Sequence, residues 1–347
     1  MALIGYGLAG EFFHAPLIAA TPGMRLAAIV TSNAERAEGA KRTHPGARVL
    51  PTPEALWQSA GDLDLAVVAT PNRTHLPLAL AALDAGLPVV VDKPLAPTAA
   101  EGRRLVADAQ DRGLLFTVFQ NRRWDGDFLT VRKLVGEGRL GTVHRFESRF
   151  ERWRPIPKPG WRQEPAPEAA GGVLYDLGSH LIDQALVLFG PAGDVYAELD
   201  RRGPGSQVDD DAFVAITHAS GVRSHHWMSS RAAQSGPRFR VLGDRAAFTK
   251  HGLDVQEAAL RRNERPTGNE WGAEDQRWWG VLGTDDALGP VQTARGAYPE
   301  FYRQVARTLR SGGPPPVDPS DAIAVLEIIE AARRSAADRR VVRLAAG

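Results

Sequence analysis

The sequence predicts an α/β protein in two parts: an N-terminal doubly wound parallel sheet, then a C-terminal α+β domain with a large, mainly antiparallel open sheet. Three observations predict it. Over residues 1–120 short apolar runs alternate with helical patterns, as repeated strand–helix–strand units require. The glycine run GYGLAG, Gly5 to Gly10, stands between the first strand and the first helix. Beyond Gln120 the runs lengthen and alternate apolar with polar, the mark of strands covered on one face only.

Taken in order, Ala2 to Ile4 is the stump of a first strand, and Gly5 to Gly10 lead into a helix through about Ala20. Only Met1 to Ile4 precede Gly5, so the natural chain is expected to begin a few residues earlier. Leu26 to Val30 is the second strand, followed by a polar helix at Ala34 to Thr43 and a short strand at Val49 to Leu50. Leu63 to Thr70 is nearly continuously apolar, as a parallel strand buried on both faces must be. A helix from about His75 to Ala85 ends at Gly86, and Pro88 to Val91 is the next strand. Thr98 and Glu101 form a capping box, Gly113 stops that helix, and Leu115 to Phe119 closes the sheet. Later come strands at Val143 to Arg152, Val195 to Asp200, Ala212 to His218 and Arg223 to Ser229, with a helix from about Leu174 to Phe189 between the first two. Arg261 to Asp286, rich in Gly, Trp and charge, reads as a long loop. An amphipathic helix at Ser320 to Ala337 and a strand at Val341 to Leu344 end the pattern.

At 347 residues the chain exceeds the roughly 250–300 at which one core stops growing, so two domains are expected, 1–120 and 121–347. A net charge of +1 gives no basic excess for nucleic acid or an acidic membrane surface, which leaves small molecules as the expected partners. With no cysteine there is no disulfide, thiolate nucleophile or cysteine metal site, and redox work needs a cofactor. The N-terminus lacks a basic segment followed by an apolar one, so a cytoplasmic address is expected.

GYGLAG follows a strand and opens a helix, the context in which such a loop holds the pyrophosphate of a dinucleotide. Glycines allow the tight turn and the close approach, and the free N–H groups at the helix start attract phosphate. Gly5, Gly7, Leu8, Ala9 and Gly10 are therefore cofactor candidates on a Rossmann domain. An acidic residue at the end of the second strand would accept from the ribose 2′-OH of NAD. Here the chain reads Thr31, Ser32, Asn33, with Arg36 one turn on, groups that donate to a 2′-phosphate. NADP is the expected cofactor, with NAD the alternative.

Two more motifs fall at strand ends, where this fold places its sites: Thr70, Pro71, Asn72 with His75, and Asp92, Lys93, Pro94. Downstream, Gly171 and Gly172 precede Asp176, His180 and Asp183, which at i, i+4 and i+7 share one helix face. Together these motifs resemble the glucose-fructose oxidoreductase / inositol dehydrogenase / rhizopine catabolism (Gfo/Idh/MocA) family over essentially the whole chain. Within it, GYGLAGEFFHAPLI and FQNRRWDGDF resemble the NADP-dependent scyllo-inositol dehydrogenase group. The resemblance implies that Lys93 sits beside the nicotinamide and the substrate hydroxyl and that Asp176 and His180 complete the site. It also implies that Trp161 and Arg162 contact cofactor or substrate. Asp92 stands where the family usually has Glu, one methylene longer.

Chemistry agrees with those roles. Alcohol oxidation takes a hydride from carbon and a proton from oxygen, so a base must meet the hydroxyl. An imidazole suits that proton near neutral pH, a lysine cation steadies the alkoxide, and a carboxylate orients both. Asn121, Arg122 and Arg123 follow the last parallel strand, where a guanidinium can hold substrate hydroxyls or cofactor phosphate. His14 lines the phosphate-side helix or packs against Phe13. No metal is expected: the neighbours His225 and His226 point to opposite faces of a strand, as do neighbours within Asp209 to Asp211.

The function so read is hydride transfer between nicotinamide and a secondary alcohol or ketone of a sugar or cyclic polyol. The alternatives are an NAD-dependent dehydrogenase of another sugar, or a dinucleotide sensor without chemistry, for which Lys93, Asp176 and His180 would have no use. An open sheet face makes a homo-oligomer, dimer or tetramer, the expected assembly.

Overall fold

The computed structural model describes residues 1–156 and 160–344. The chain forms two compact units, the first made of residues 1–121, 256–271 and 297–323, the second of 122–255, 272–296 and 324–347. The first unit is therefore not one continuous stretch, because two later segments return to it.

In the first unit β1 (Ala2–Ile4) is followed by a π turn, Gly10–His14, that runs on into α1 (Ala15–Ala19). Then come β2 (Ala28–Val30), α2 (Ala34–Thr43), β3 (Arg48–Leu50) and α3 (Pro53–Trp57). After them lie β4 (Ala66–Val68), α4 (His75–Asp84), β5 (Val89–Asp92), α5 (Ala99–Asp111) and β6 (Phe116–Phe119). All six strands are parallel, in the order β3-β2-β1-β4-β5-β6. Chain direction across the sheet reverses between β1 and β4, and ligands of such sheets bind outside the carboxyl ends at that point. Val67, Val68, Val89, Val90 and Val91 are wholly buried, as β-branched residues on a sheet covered on both faces should be. Asn33, Thr52 and Thr98 cap α2, α3 and α5 through their side-chain oxygens.

The second unit opens with α6 (Gly126–Gly136) and β7 (Val143–Glu151). A second π turn, Leu174–Gly178, runs into α7 (Ser179–Phe189). Strands β8 (Ala192–Asp200), β9 (Asp211–His218), β10 (Arg223–Ser229), β11 (Phe239–Gly243) and β12 (Ala247–Lys250) follow. After α8 (Gln256–Arg261), which belongs to the first unit, β13 (Gly280–Thr284) and β14 (Ala287–Val291) extend the same sheet. Helix α9 (Pro299–Ser311) is again in the first unit, α10 (Pro319–Asp338) starts there, and β15 (Val342–Arg343) ends the sheet. The order is β14-β13-β12-β11-β7-β10-β9-β8-β15, and only β7 with β10 runs parallel.

Helices α6 and α7 cover one face of this sheet. Phe128, Val131, Ala185 and Phe189 pack there against Phe146, Phe239, Val241 and Phe248. Each large side chain so buried contributes about 1.5–3 kcal/mol. On the opposite face Phe213, His225 and Trp227 are only half buried.

The expectation of a loop from Arg261 to Asp286 is corrected: β13 lies within it and pairs with β12 and β14. Gly280 and Gly283 hide the strand, because glycine lowers strand propensity and breaks the alternation. Both are needed by packing. A Cβ on Gly280 would lie 2.4 Å from the Phe248 ring, and one on Gly283 1.9 Å from the Ala287 carbonyl oxygen. Among the described residues no helix is long and apolar enough to cross a membrane.

Candidate active site

In the first unit the three loop glycines differ in what they do. Gly5 has φ +99° and a Cβ there would lie 2.5 Å from the Ala69 carbonyl oxygen, so the turn and the end of β4 both require glycine. A Cβ on Gly10 would lie 2.0 Å from the Gly5 carbonyl oxygen, which lets the helix start close against the loop. Gly7 is different. The nearest atom to a Cβ there is Arg36 Nη1 at 3.6 Å, so packing within the protein does not demand glycine at this position. Leu8 is exposed at the helix start, Ala9 is half buried behind it, and the Arg36 guanidinium folds back over the loop.

Ser32 and Asn33 are exposed beside it. The Asn33 side-chain oxygen accepts from the Arg36 N–H at 2.9 Å, leaving its amide NH₂ as the group able to donate outward. Asn72 is buried, and Pro71 is half buried next to it. Thr74 donates to the Pro71 carbonyl at 2.7 Å and holds the turn.

His75 is wholly buried, and this changes its role. Its Nδ1 lies 2.8 Å from the Pro94 carbonyl and its Nε2 2.9 Å from the Thr70 carbonyl. Both carbonyls only accept, so a neutral ring donates to one of them, and the ring sits between the loop after β4 and the loop after β5 with both nitrogens turned toward backbone oxygens. Burial pushes its pKa down, against the pull of Asp92 and the two carbonyls. On the second of those loops Asp92 Oδ1 accepts from the Lys93 N–H at 2.9 Å, and the Lys93–Pro94 peptide is cis. Burial raises the Asp92 pKa, but His14, Lys93 and His75 outweigh it, so the carboxyl lies below its ordinary value and is ionised at neutral pH.

In the second unit the glycine pair shapes the start of the helix that bears Asp176 and His180. A Cβ on Gly171 would lie 2.7 Å from the Arg162 carbonyl oxygen. Gly172 has φ +93°, and a Cβ there would meet Asp209 Oδ1 at 2.2 Å. Asp209 caps that helix from a distance: its carboxylate accepts from the Leu174 N–H at 2.8 Å and its carbonyl from Val173 at 3.0 Å. Asp210 accepts from Arg202, Gly203, Ser206 and Arg231. His226 is buried and His225 faces the other side of β10, as strand alternation demands. Among the described residues no group of three or more His, Asp or Glu is placed to hold a metal ion.

The π turn Leu174–Gly178 carries an extra residue, so the spacing of Asp176 to His180 and Asp183 is not that of a regular α-helix. Asp176 is part exposed, whereas His180 and Asp183 are buried. Arg162 Nε donates to Asp176 Oδ1 at 3.2 Å while its guanidinium stacks over the Trp161 ring at 4.4 Å. Trp161, Arg162 and Asp176 thus form one cluster.

Arg122 does not extend as a ligand cation. It is buried, pairs with Asp125 at 3.3 Å and lies over the Phe150 ring at 4.6 Å. Its neighbour Arg123 grips Asp183 through two bonds of 2.8 and 2.6 Å. The capping role of Asp209 and the place of Tyr302 behind Asp92 were missed in the sequence, since neither has a local signal.

Comparison with known proteins places both parts of the chain in one oxidoreductase family. The model described as oxidoreductase family, NAD-binding Rossmann fold, matches residues 1–120, and that described as oxidoreductase family, C-terminal alpha/beta domain, matches residues 132–344. The chain is 40% identical to the uncharacterized oxidoreductase YdgJ of Escherichia coli strain K12, over 99% of this chain and 98% of the other. It is 34% identical to IolW, the scyllo-inositol 2-dehydrogenase (NADP(+)) of Bacillus subtilis strain 168, over 99% and 95%. The solved structure of YvaA from Bacillus subtilis matches with a TM-score of 0.93 at 34% identity, covering 99% of this chain and 97% of the other.

Proposed function

The chain belongs to the Gfo/Idh/MocA family of NAD(P)-binding oxidoreductases, and from that premise we propose that it is an NADP-preferring dehydrogenase of a cyclic polyol or sugar. The observation that carries the cofactor preference is Arg36 folded over Gly7, with Thr31, Ser32 and Asn33 where a carboxylate would select NAD. A guanidinium in that place pairs with a 2′-phosphate, and Thr31, Ser32 and Asn33 bring no carboxylate to the end of β2. The polyol substrate is supported by full-length similarity to IolW, whose name states both scyllo-inositol and NADP(+).

NADP(H), when bound, supplies or takes the hydride. On the first unit Lys93 is the group suited to steady an oxygen that develops charge; on the second, His180 is suited to hold a hydroxyl proton and Asp176 to orient it. Arg162, donating to Asp176 Oδ1 at 3.2 Å, aims that carboxylate. We read the half-covered outer face of the nine-stranded sheet, with Phe213 and with Trp227 under Arg149 at 3.9 Å, as the place where a second copy docks.

The experiment that tests the reading is a panel of inositol stereoisomers and aldoses with NADP or NAD, following the absorbance of reduced nicotinamide. The expected result is oxidation of at least one cyclic polyol or sugar with a higher kcat/KM for NADP. Faster turnover with NAD would overturn the cofactor preference, and no turnover with any member would overturn the substrate class.

A further inference from the structure

Behind the Asp92–Lys93 loop lies a chain of buried polar groups that hydride transfer does not by itself require. His14 and Tyr302 are both wholly buried in the first unit. His14 Nδ1 stands 2.6 Å from the Tyr302 hydroxyl, and its Nε2 faces Asp92 Oδ1 at 3.9 Å with no hydrogen-bond partner of its own. Asp92 Oδ1 in turn accepts from the Lys93 N–H.

We propose that Tyr302 and His14 form a relay ending on Asp92 and act as positioning residues for the loop that carries Lys93. The inference rests on the reading of Lys93 as catalytic.

The direction of the relay follows from which groups can donate. Burial and the nearby Asp92 push the Tyr302 phenol well above its ordinary pKa, so it keeps its proton and donates to His14 Nδ1. The one proton of a neutral His14 ring then sits on Nε2, pointing at the Asp92 carboxylate. The opposite tautomer would turn a nitrogen lone pair toward a carboxylate oxygen in a buried setting, which electrostatics disfavours. At 3.9 Å the Nε2 contact is an electrostatic one and too long for a hydrogen bond.

Packing holds the ring in place. Phe119 lies 4.3 Å from the His14 centroid and 4.9 Å, edge-on, from Phe301, and Tyr302 stands 6.1 Å from His14. His14 is the last residue of the π turn that begins at Gly10, so the relay ties the end of the glycine-loop turn to the loop after β5. Asp92 is faced by His14, Lys93 and His75, and its charge is felt at Tyr302. Nothing in packing alone asks for this arrangement, since three apolar side chains would fill the same volume without a desolvation cost.

The test uses the full chain and reads NMR signals before activity. In the wild type, 15N spectra should show His14 as the neutral Nε2–H tautomer, and Tyr302→Phe, which deletes one oxygen, should weaken that preference. The Asp92 carboxyl signal should titrate about one pH unit higher in Tyr302→Phe and in His14→Leu, with His14→Gln restoring a donor toward the carboxylate and most of the shift. With an active polyol, both variants should lower kcat at unchanged NADPH affinity, with His14→Gln recovering most of the loss. A wild-type Nδ1–H tautomer, or an Asp92 titration identical in all three variants, would overturn the relay. Absence of any polyol oxidation would count against the substrate reading alone, because the NMR arms do not need turnover.

Discussion

His218 and His226 meet on a single hydroxyl: Nε2 of the first lies 2.8 Å and Nε2 of the second 2.9 Å from Ser224 Oγ. The protons of this buried chain can be assigned from its ends. The Gly190 carbonyl only accepts, so His218 donates to it from Nδ1 at 2.8 Å and takes the Ser224 proton on Nε2. Ser224 then accepts from His226 Nε2, and His226 Nδ1 accepts from the Ser148 hydroxyl at 2.8 Å. Both rings are neutral, and one more proton on either breaks a bond.

Acid should therefore loosen the second unit through these two rings. Burial holds both histidines below their ordinary pKa, His226 well below, with His218, His225 and Arg238 adding to the effect on His226. A folded pKa below the unfolded value means that the unfolded chain binds protons first, so stability is full above about pH 6.5 and falls as pH drops below it. Urea midpoints measured from pH 8 to 5 should be flat and then decline. A midpoint independent of pH over that range would contradict the neutral chain.

Ser224→Ala removes the shared hydroxyl and leaves a donor and an acceptor unpaired in the core. The expected loss is about 2–6 kcal/mol, from roughly 1–3 for each of the two buried groups left without a partner, read from urea unfolding at pH 7.5. A loss under about 0.5 kcal/mol would mean that the hydroxyl is not the bridge.

Gly172→Ala joins a positive φ of 93° to a Cβ at 2.2 Å from the Asp209 carboxylate. Strain of about 1–3 kcal/mol adds to the loss of a helix cap worth about 0.5–2. Asp209→Ala should cost only the cap, so the two unfolding free energies separate backbone strain from capping.

Arg36→Ala should weaken NADPH binding by about 10–100-fold, the range for a charged hydrogen bond of roughly 1.5–3 kcal/mol, and leave NADH unchanged. Calorimetric titration of both cofactors measures it. Equal losses for the two would remove Arg36 from 2′-phosphate recognition.

Lys93→Ala should lower turnover by about 10²–10⁴-fold while the NADPH dissociation constant stays near the wild-type value. Single-turnover rates on whichever polyol proves active, beside NADPH titration, check it. Unchanged turnover would take Lys93 out of the chemistry.

How much of this was readable beforehand varies with distance along the chain. The glycine loop, the all-valine strand Val89 to Val91 and the cap at Thr98 are local, so spacing and residue type sufficed. Strand β13 escaped notice because Gly280 and Gly283, which its packing requires, also erase the alternation. His75 looked like a ligand because it follows Asn72 at a strand end, yet its ring is buried between two backbone carbonyls, one of them 19 residues later. The spacing of Asp176, His180 and Asp183 was read on a regular helix, and the π turn altered it.

The sequence by itself determined the parallel sheet and the dinucleotide loop with its non-acidic second strand end. Those depend on contacts among residues close in the chain. Only the tertiary structure decided that His14 meets Tyr302 across 288 residues, that Asp209 caps a helix 35 residues before it, and that Arg122 is an internal ion pair. The physical reason is that periodicity reports which face of an element is buried. It carries no information on which distant polar group arrives to satisfy a buried donor or acceptor, and that is settled when the elements pack.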